Sequence, residues 1–157
     1  MPERHQGGEN QSTQREAKEM KMEKAQIEKK KISVFTLSAP QSPFAAALQN
    51  AASKSFGYEV DKQLYHLLKE IRSKCEEYIA LRQRIFKTQG TQRGNQTFLQ
   101  GQGLENLKAL NNDLGAQEVV LENAPIEIEA FPDGVPARDM ILLEDGGIFA
   151  ITEPNIT

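Results

Sequence analysis

The chain has 157 residues, of which 26% are charged and 38% hydrophobic, and a formal net charge of −3. That length fits about one domain. One cysteine and two histidines exclude an intramolecular disulfide, a cysteine-based zinc site and a histidine-rich metal site. No run of about 18 apolar residues exists, so no transmembrane helix is expected. The polar N-terminus has no apolar core segment, so no signal peptide is expected either.

The small net charge conceals a division. Residues 1–100 hold 17 Lys and Arg against 11 Asp and Glu, whereas residues 101–157 hold 2 against 11. A basic half and an acidic half can attract each other within one fold. They can also join separate copies head to tail, or the basic half can meet nucleic acid.

Residues 1–14 form a polar run without apolar periodicity and read as disordered. Residues 15–31, REAKEMKMEKAQIEKKK, are strong helix formers with interleaved charges and few apolar side chains. Together they predict a mobile charged arm, 1–31, ahead of a single small α+β domain, 32–157. Lys29, Lys30 and Lys31 close the arm and offer a partner or phosphate contact. The segment ISVFTLS, 32–38, is β-branched and aromatic and predicts a short strand. Ser42 as N-cap and Pro43 at the first helical position predict a helix to about residue 54.

The clearest periodicity lies in 59–88. Leu64, Leu67, Leu68, Ile71, Cys75, Tyr78, Leu81, Ile85 and Phe86 recur at helical spacing. About 30 residues make a rod of about 45 Å, long for so small a domain. That predicts a helical hairpin or a helix contact between subunits. Residues 89–101, QGTQRGNQTFLQG, read as a loop with Phe98 and Leu99 as an apolar anchor. Leu104, Leu107, Leu110 and Leu114 predict a shorter antiparallel helix over 103–114, with Gly115 as its C′ residue. The segment EVVLENAPIEIEAF, 118–131, predicts a half-buried acidic strand that Pro125 places at an edge or breaks into two. Residues 136–145 admit a helix with Pro136 at its start, whereas 140–151 also admit a hairpin about Asp145-Gly146.

Catalytic material is sparse. Cys75 sits on the apolar stripe and reads as an inert core thiol, and His66 reads as a surface residue. His5 falls in the disordered run. Asp133, Asp139, Glu144 and Asp145 read as a solvated acidic edge rather than a cation site. The glycines at 90, 94, 101 and 103 form no phosphate-binding signature. No catalytic residue, metal or cofactor is therefore expected.

From about Phe56 to Phe149 the order of parts resembles small uncharacterised proteins of tailed phages and prophages. The matching parts are the amphipathic segment CEEYIALRQRIFKTQG, a Gly-rich loop, the helix LENLKALNNDLGAQ, the acidic strand EVVLENAPIEIEAF and the closing VPARDMILLEDGGIF. The resemblance implies a phage origin, a non-enzymatic role in the virion or host cytoplasm, and a short terminal helix after Pro136.

The expected fold is therefore α+β and mainly α. A long amphipathic helix and a shorter antiparallel one carry a small β element at the C-terminal end. The expected function is protein–protein interaction as a small virion structural or assembly component, with homo-oligomerisation. The expected contact residues are Lys29, Lys30, Lys31, Arg82, Arg84, Lys87 and Arg93 on the basic side, and Glu118, Glu122, Glu127 and Glu129 on the acidic side. The same residues admit two alternatives. The acidic surface mimics nucleic acid and inhibits a host or defence protein, or the basic arm and helix end bind nucleic acid directly.

Overall fold

The computed structural model describes residues 29–152. The chain divides into two units, 1–30 and 31–157. The elements of the second unit, in chain order, are strand β1 (Lys31–Ser33), helices α1 (Val34–Ser38), α2 (Pro43–Ala52) and α3 (Tyr58–Gln89), strands β2 (Thr91–Arg93) and β3 (Gln96–Phe98), helix α4 (Gln102–Asn112), strands β4 (Glu118–Val120) and β5 (Ile126–Ile128), helix α5 (Ala137–Asp145) and strand β6 (Phe149–Ile151). The expected mainly helical α+β architecture stands, whereas most of the expected 1–31 arm lies outside the described residues.

The segment expected as a strand over 32–38 is mostly helix. Ser33 reverses the outcome locally: its backbone is extended, and its hydroxyl accepts the N–H of Thr36 at 3.1 Å, which caps α1. The apolar residues of this one-and-a-half-turn helix then serve the core, with Val34 and Leu37 buried. Helix α2 begins as its sequence predicts. Ser42 Oγ accepts the N–H of Ala45 at 3.3 Å, and Pro43 opens the helix.

Helix α3 runs for 32 residues, about 48 Å. Asp61 secures its start by reaching back, accepting the N–H of Phe56 at 2.8 Å and the Ser55 hydroxyl at 3.0 Å. Leu64, Leu67, Ile71, Cys75 and Tyr78 form its buried face. Against them pack α1, α2, β5 and residues of α5 and β6, with Leu67, Cys75, Ile126, Leu143 and Ile148 fully enclosed. Helix α4 returns antiparallel to α3. Gln89 meets Asn106 at 2.9 Å, and Tyr78 Oη donates to Asn111 Oδ1 at 2.7 Å.

Three two-stranded sheets complete the unit rather than one C-terminal element. β1 pairs antiparallel with β4, β2 pairs antiparallel with β3, and β5 pairs parallel with β6. The expected loop of 89–101 is thus mainly a hairpin. Gly94 at φ +62 supplies the first central position of its two-residue turn, and Asn95 the second, the pattern of a type II′ turn. Pro125 does break 118–131 into two strands, and the Ala124–Pro125 peptide is cis. Those strands join different sheets. The ambiguity over 140–151 resolves into a helix followed by a strand. Helix α5 ends at Asp145, and β6 then lies beside β5, which places Ile148 and Phe149 in the core. Helix α4 ends earlier than its leucine spacing suggests. Asp113 is its C-cap, Gly115 donates its N–H to Leu110 O at 3.0 Å, and Gly115 does not take a positive φ.

Phe56, Phe131 and Phe149 form an aromatic cluster at the start of α3. Phe56 and Phe149 stack with centroids 5.1 Å apart, and Phe131 meets Phe149 edge-on at 5.4 Å. At the other side of the core the Phe44 ring lies directly against Gly146, where a Cβ would occupy the space of the ring. Replacing Gly146→Ala should therefore destabilise the fold by about 1–3 kcal/mol through overpacking. Urea denaturation followed by circular dichroism checks this, and an unchanged midpoint would contradict the close packing of α2 on α5.

Candidate functional site

The buried face of α3 stops at Tyr78, but its apolar stripe does not. Over the next 11 residues, about 16 Å of helix, Leu81 is 39% exposed and Ile79, Ile85 and Phe86 are only half-buried. The β2–β3 hairpin extends this end, and all its strand residues are exposed, including Phe98 at 43%. Phe98 is therefore no anchor, contrary to expectation. Leu104, at the start of α4, is exposed as well. The arm formed by the end of α3, the hairpin and the start of α4 thus carries apolar side chains that the core does not cover.

The same arm is basic. Between residues 79 and 108 stand Arg82, Arg84, Lys87, Arg93 and Lys108 against the single acid Glu105. Arg84, Lys87 and Arg93 are exposed. Arg82 lies 4.5 Å over the Phe86 ring, one helical turn away, in a cation–π contact. Lys87 in the last turn of α3 also complements the helix dipole. Near this junction, burial raises the Tyr78 phenol above its ordinary pKa, although Arg82 pulls the other way. Burial likewise raises the Cys75 thiol, opposed by Ser38. Cys75 is a buried free thiol in the core, where its place on the stripe puts it. His66 is exposed, with its ring edge-on to Tyr65.

Of the expected acidic residues, Glu127 and Glu129 lie beside the start of α3, whereas the backbone of Glu122 is tied to Glu70 further along it. Phe56 and Val60, on and just before the first turn of α3, floor an open groove of about 530 Å³. Glu127 and Glu129 wall it together with Ile128 and Thr152. Strand β5 points Ile126 and Ile128 into the core and Glu127 out to solvent, the alternation its sequence predicts. Glu118 is exposed in β4, opposite Ser33 of β1, and Lys31 opens β1 opposite Val120. Lys29 and Lys30 belong to the first unit. The site residues expected from sequence therefore do not form one cluster. They fall into a basic group beyond Tyr78 and an acidic group beside the first three-quarters of α3.

One position departs from the solvated acidic edge expected near the C-terminus. Asp139 is buried and accepts from Asn50 Nδ2 at 3.2 Å, which joins α5 to α2. Glu70, which the sequence does not single out, is a hub. Its carboxylate accepts the N–H of Glu122 at 2.7 Å, the N–H of Asn123 at 2.9 Å and Asn123 Nδ2 at 2.9 Å, and it pairs with Lys74 at 2.8 Å. Lys74 also donates to Val120 O. This clamp fixes the turn between β4 and β5 and so aims the acidic strand. Its only sequence trace is the i, i+4 spacing of Glu70 and Lys74. Among the described residues, no group of three or more His, Cys, Asp or Glu could hold a metal ion, and no helix is long and apolar enough to cross a membrane.

Desolvation raises the Glu70 pKa, but Lys74 and the three N–H donors outweigh it and hold it at about 2, against an ordinary 4.5. The folded value lies below the unfolded one. The ionised carboxylate therefore stabilises the fold fully above about pH 4.5, and this contribution is lost as pH falls from there towards 2. Glu70→Gln should cost about 1–2 kcal/mol at neutral pH. It should also flatten the dependence of stability on pH between 4.5 and 2, measured by urea titrations across that range. An unchanged slope would remove Glu70 as the clamp. Set against known proteins, the chain matches no family model, no curated protein and no solved structure.

Proposed function

We propose that this protein acts without chemistry of its own, by self-association through the arm beyond Tyr78, as a small structural or assembly component. The resemblance of residues 56–149 to small phage proteins supports a place in the virion or in the host cytoplasm during assembly. One observation carries the reading: the apolar stripe of α3 continues for about three turns past the last residue that the core buries. Leu81, Phe86, Phe98 and Leu104 leave apolar surface on one cationic element, and such surface, where it is continuous, marks interaction sites. Aromatic and arginine side chains, here Phe86, Phe98, Arg82 and Arg93, are also the types enriched where protein surfaces meet.

A second reading keeps the arm and changes the partner. Arg82, Arg84, Lys87 and Arg93 offer phosphate contacts, so nucleic-acid binding competes for the same cations. It leaves Leu81 without a role.

Light scattering on a size-exclusion column separates these readings. The full chain should elute as a species heavier than its 17.6 kDa, with a mass that rises with concentration. Leu81→Glu should return it to the monomer with unchanged helix content, because an exposed position costs only about 0.5 kcal/mol of stability. A wild-type chain that stays monomeric at all concentrations would overturn the proposal. Retention on a DNA or RNA column that falls steeply with salt would then favour the second reading.

A further inference from the structure

The two charged groups cannot meet inside one chain. Phe56 and Val60 hold the acidic groove at the start of α3, and the cationic arm begins at Arg82 and ends at the hairpin beyond Gln89. From Val60 to Gln89 the helix rises about 44 Å, and a continuous α-helix cannot fold back on itself. Among the described residues, Glu127 and Glu129 therefore do not meet the cations of the arm.

We infer that the groove between the start of α3 and β5 is the docking site for the arm of a second copy, so that copies join head to tail. This rests on the self-association proposed above and names its receiving surface. Charge complementarity selects the occupant. Glu127 and Glu129 wall the groove with two carboxylates, while the hairpin and its approach present Lys87 and Arg93 beside Phe98. The floor fits the same occupant. Phe56 is half-buried and stacked on Phe149, so it offers one aromatic face, and the half-buried Val60 adds apolar surface. An aromatic floor under a carboxylate rim suits a segment that alternates cationic and apolar side chains. Among the described residues β5 pairs with β6 alone, which leaves its other edge without a strand.

This placement dictates the symmetry. The arm and the groove are different surfaces beside opposite ends of α3, so each copy uses one to give and one to receive. Such a heterologous contact closes into a ring or continues as a filament. Neither product is a two-fold dimer, in which one patch would meet itself.

Complementation between two broken copies tests this. One variant carries Leu81→Glu, which disables the arm and leaves the groove. The other carries Glu127→Arg and Glu129→Arg, which disables the groove and leaves the arm. Both sites are exposed, and circular dichroism verifies that each variant keeps its helix content. Each alone should be monomeric, with self-affinity reduced at least about tenfold. Mixed, they should form a 1:1 complex of two 17.6 kDa chains and nothing larger, because the only intact arm meets the only intact groove. The complex should weaken as salt rises from low to moderate concentration. Two results overturn the assignment of the groove: assembly that survives the double glutamate reversal, and a mixture that stays monomeric. If Leu81→Glu still abolishes assembly in those cases, the arm stands and the groove falls. A monomeric wild-type chain removes both.

Discussion

Burial of one face of α3, from Leu64 to Tyr78, is the constraint on which the other elements depend. These five side chains, at steps of three and four, meet α1, α2, β5 and residues of α5 and β6 in one continuous cluster. Strands of three residues cannot hold sheets by their own ladders. The β1–β4 and β5–β6 pairs instead survive because residues in or beside them are buried in the core. Leu121 after β4, Ile126 and Ile128 in β5, and Phe149 in β6 are all buried. The Glu70–Lys74 clamp performs the same task with polar atoms. It ties the β4–β5 turn to the outer side of the helix whose inner side forms the core.

The length of α3 then sets the polarity of the molecule. The core needs little more than the first 20 residues of the helix, yet the helix continues for 11 beyond Tyr78. A helix that outruns its core exposes whatever stripe it carries, and here that stripe stays apolar while its surroundings turn cationic. Meanwhile the clamp and the β5–β6 ladder hold Glu127 and Glu129 near the opposite end. The separation of charge seen along the sequence thus becomes a separation in space along one rigid rod. This geometry, rather than any cluster of reactive groups, supports the assembly reading.

Legibility tracked the range of the interaction. The N-cap of α2, the whole of α3 and the break at Pro125 rest on residues within a few positions of one another. Periodicity and capping chemistry therefore reveal them. The β-branched segment 32–38 misleads because Ser33 caps a helix whose value lies in burying Val34 and Leu37. Propensity yields there to a tertiary contact. The Gly94-Asn95 turn was legible in principle, being a two-residue hairpin signal, but its flanks TQR and QTF lack the apolar alternation that marks a strand.

The sequence by itself determined helices α2, α3 and α4, the division of charge, the cysteine's place on the stripe and the surface position of His66. Each of these is written in spacing or composition. Only the tertiary structure decided which strands pair, since β1 with β4 and β5 with β6 join segments separated by long stretches of chain. It alone turned Asp139 inward to Asn50 and made Glu70 a clamp on residues more than 50 positions away. It also decided where burial of α3 ends. Nothing in the stripe distinguishes Tyr78 from Leu81 as a helical apolar residue. The difference is that the end of α4 reaches the first, where Asn111 accepts the Tyr78 hydroxyl, and leaves the second open to solvent.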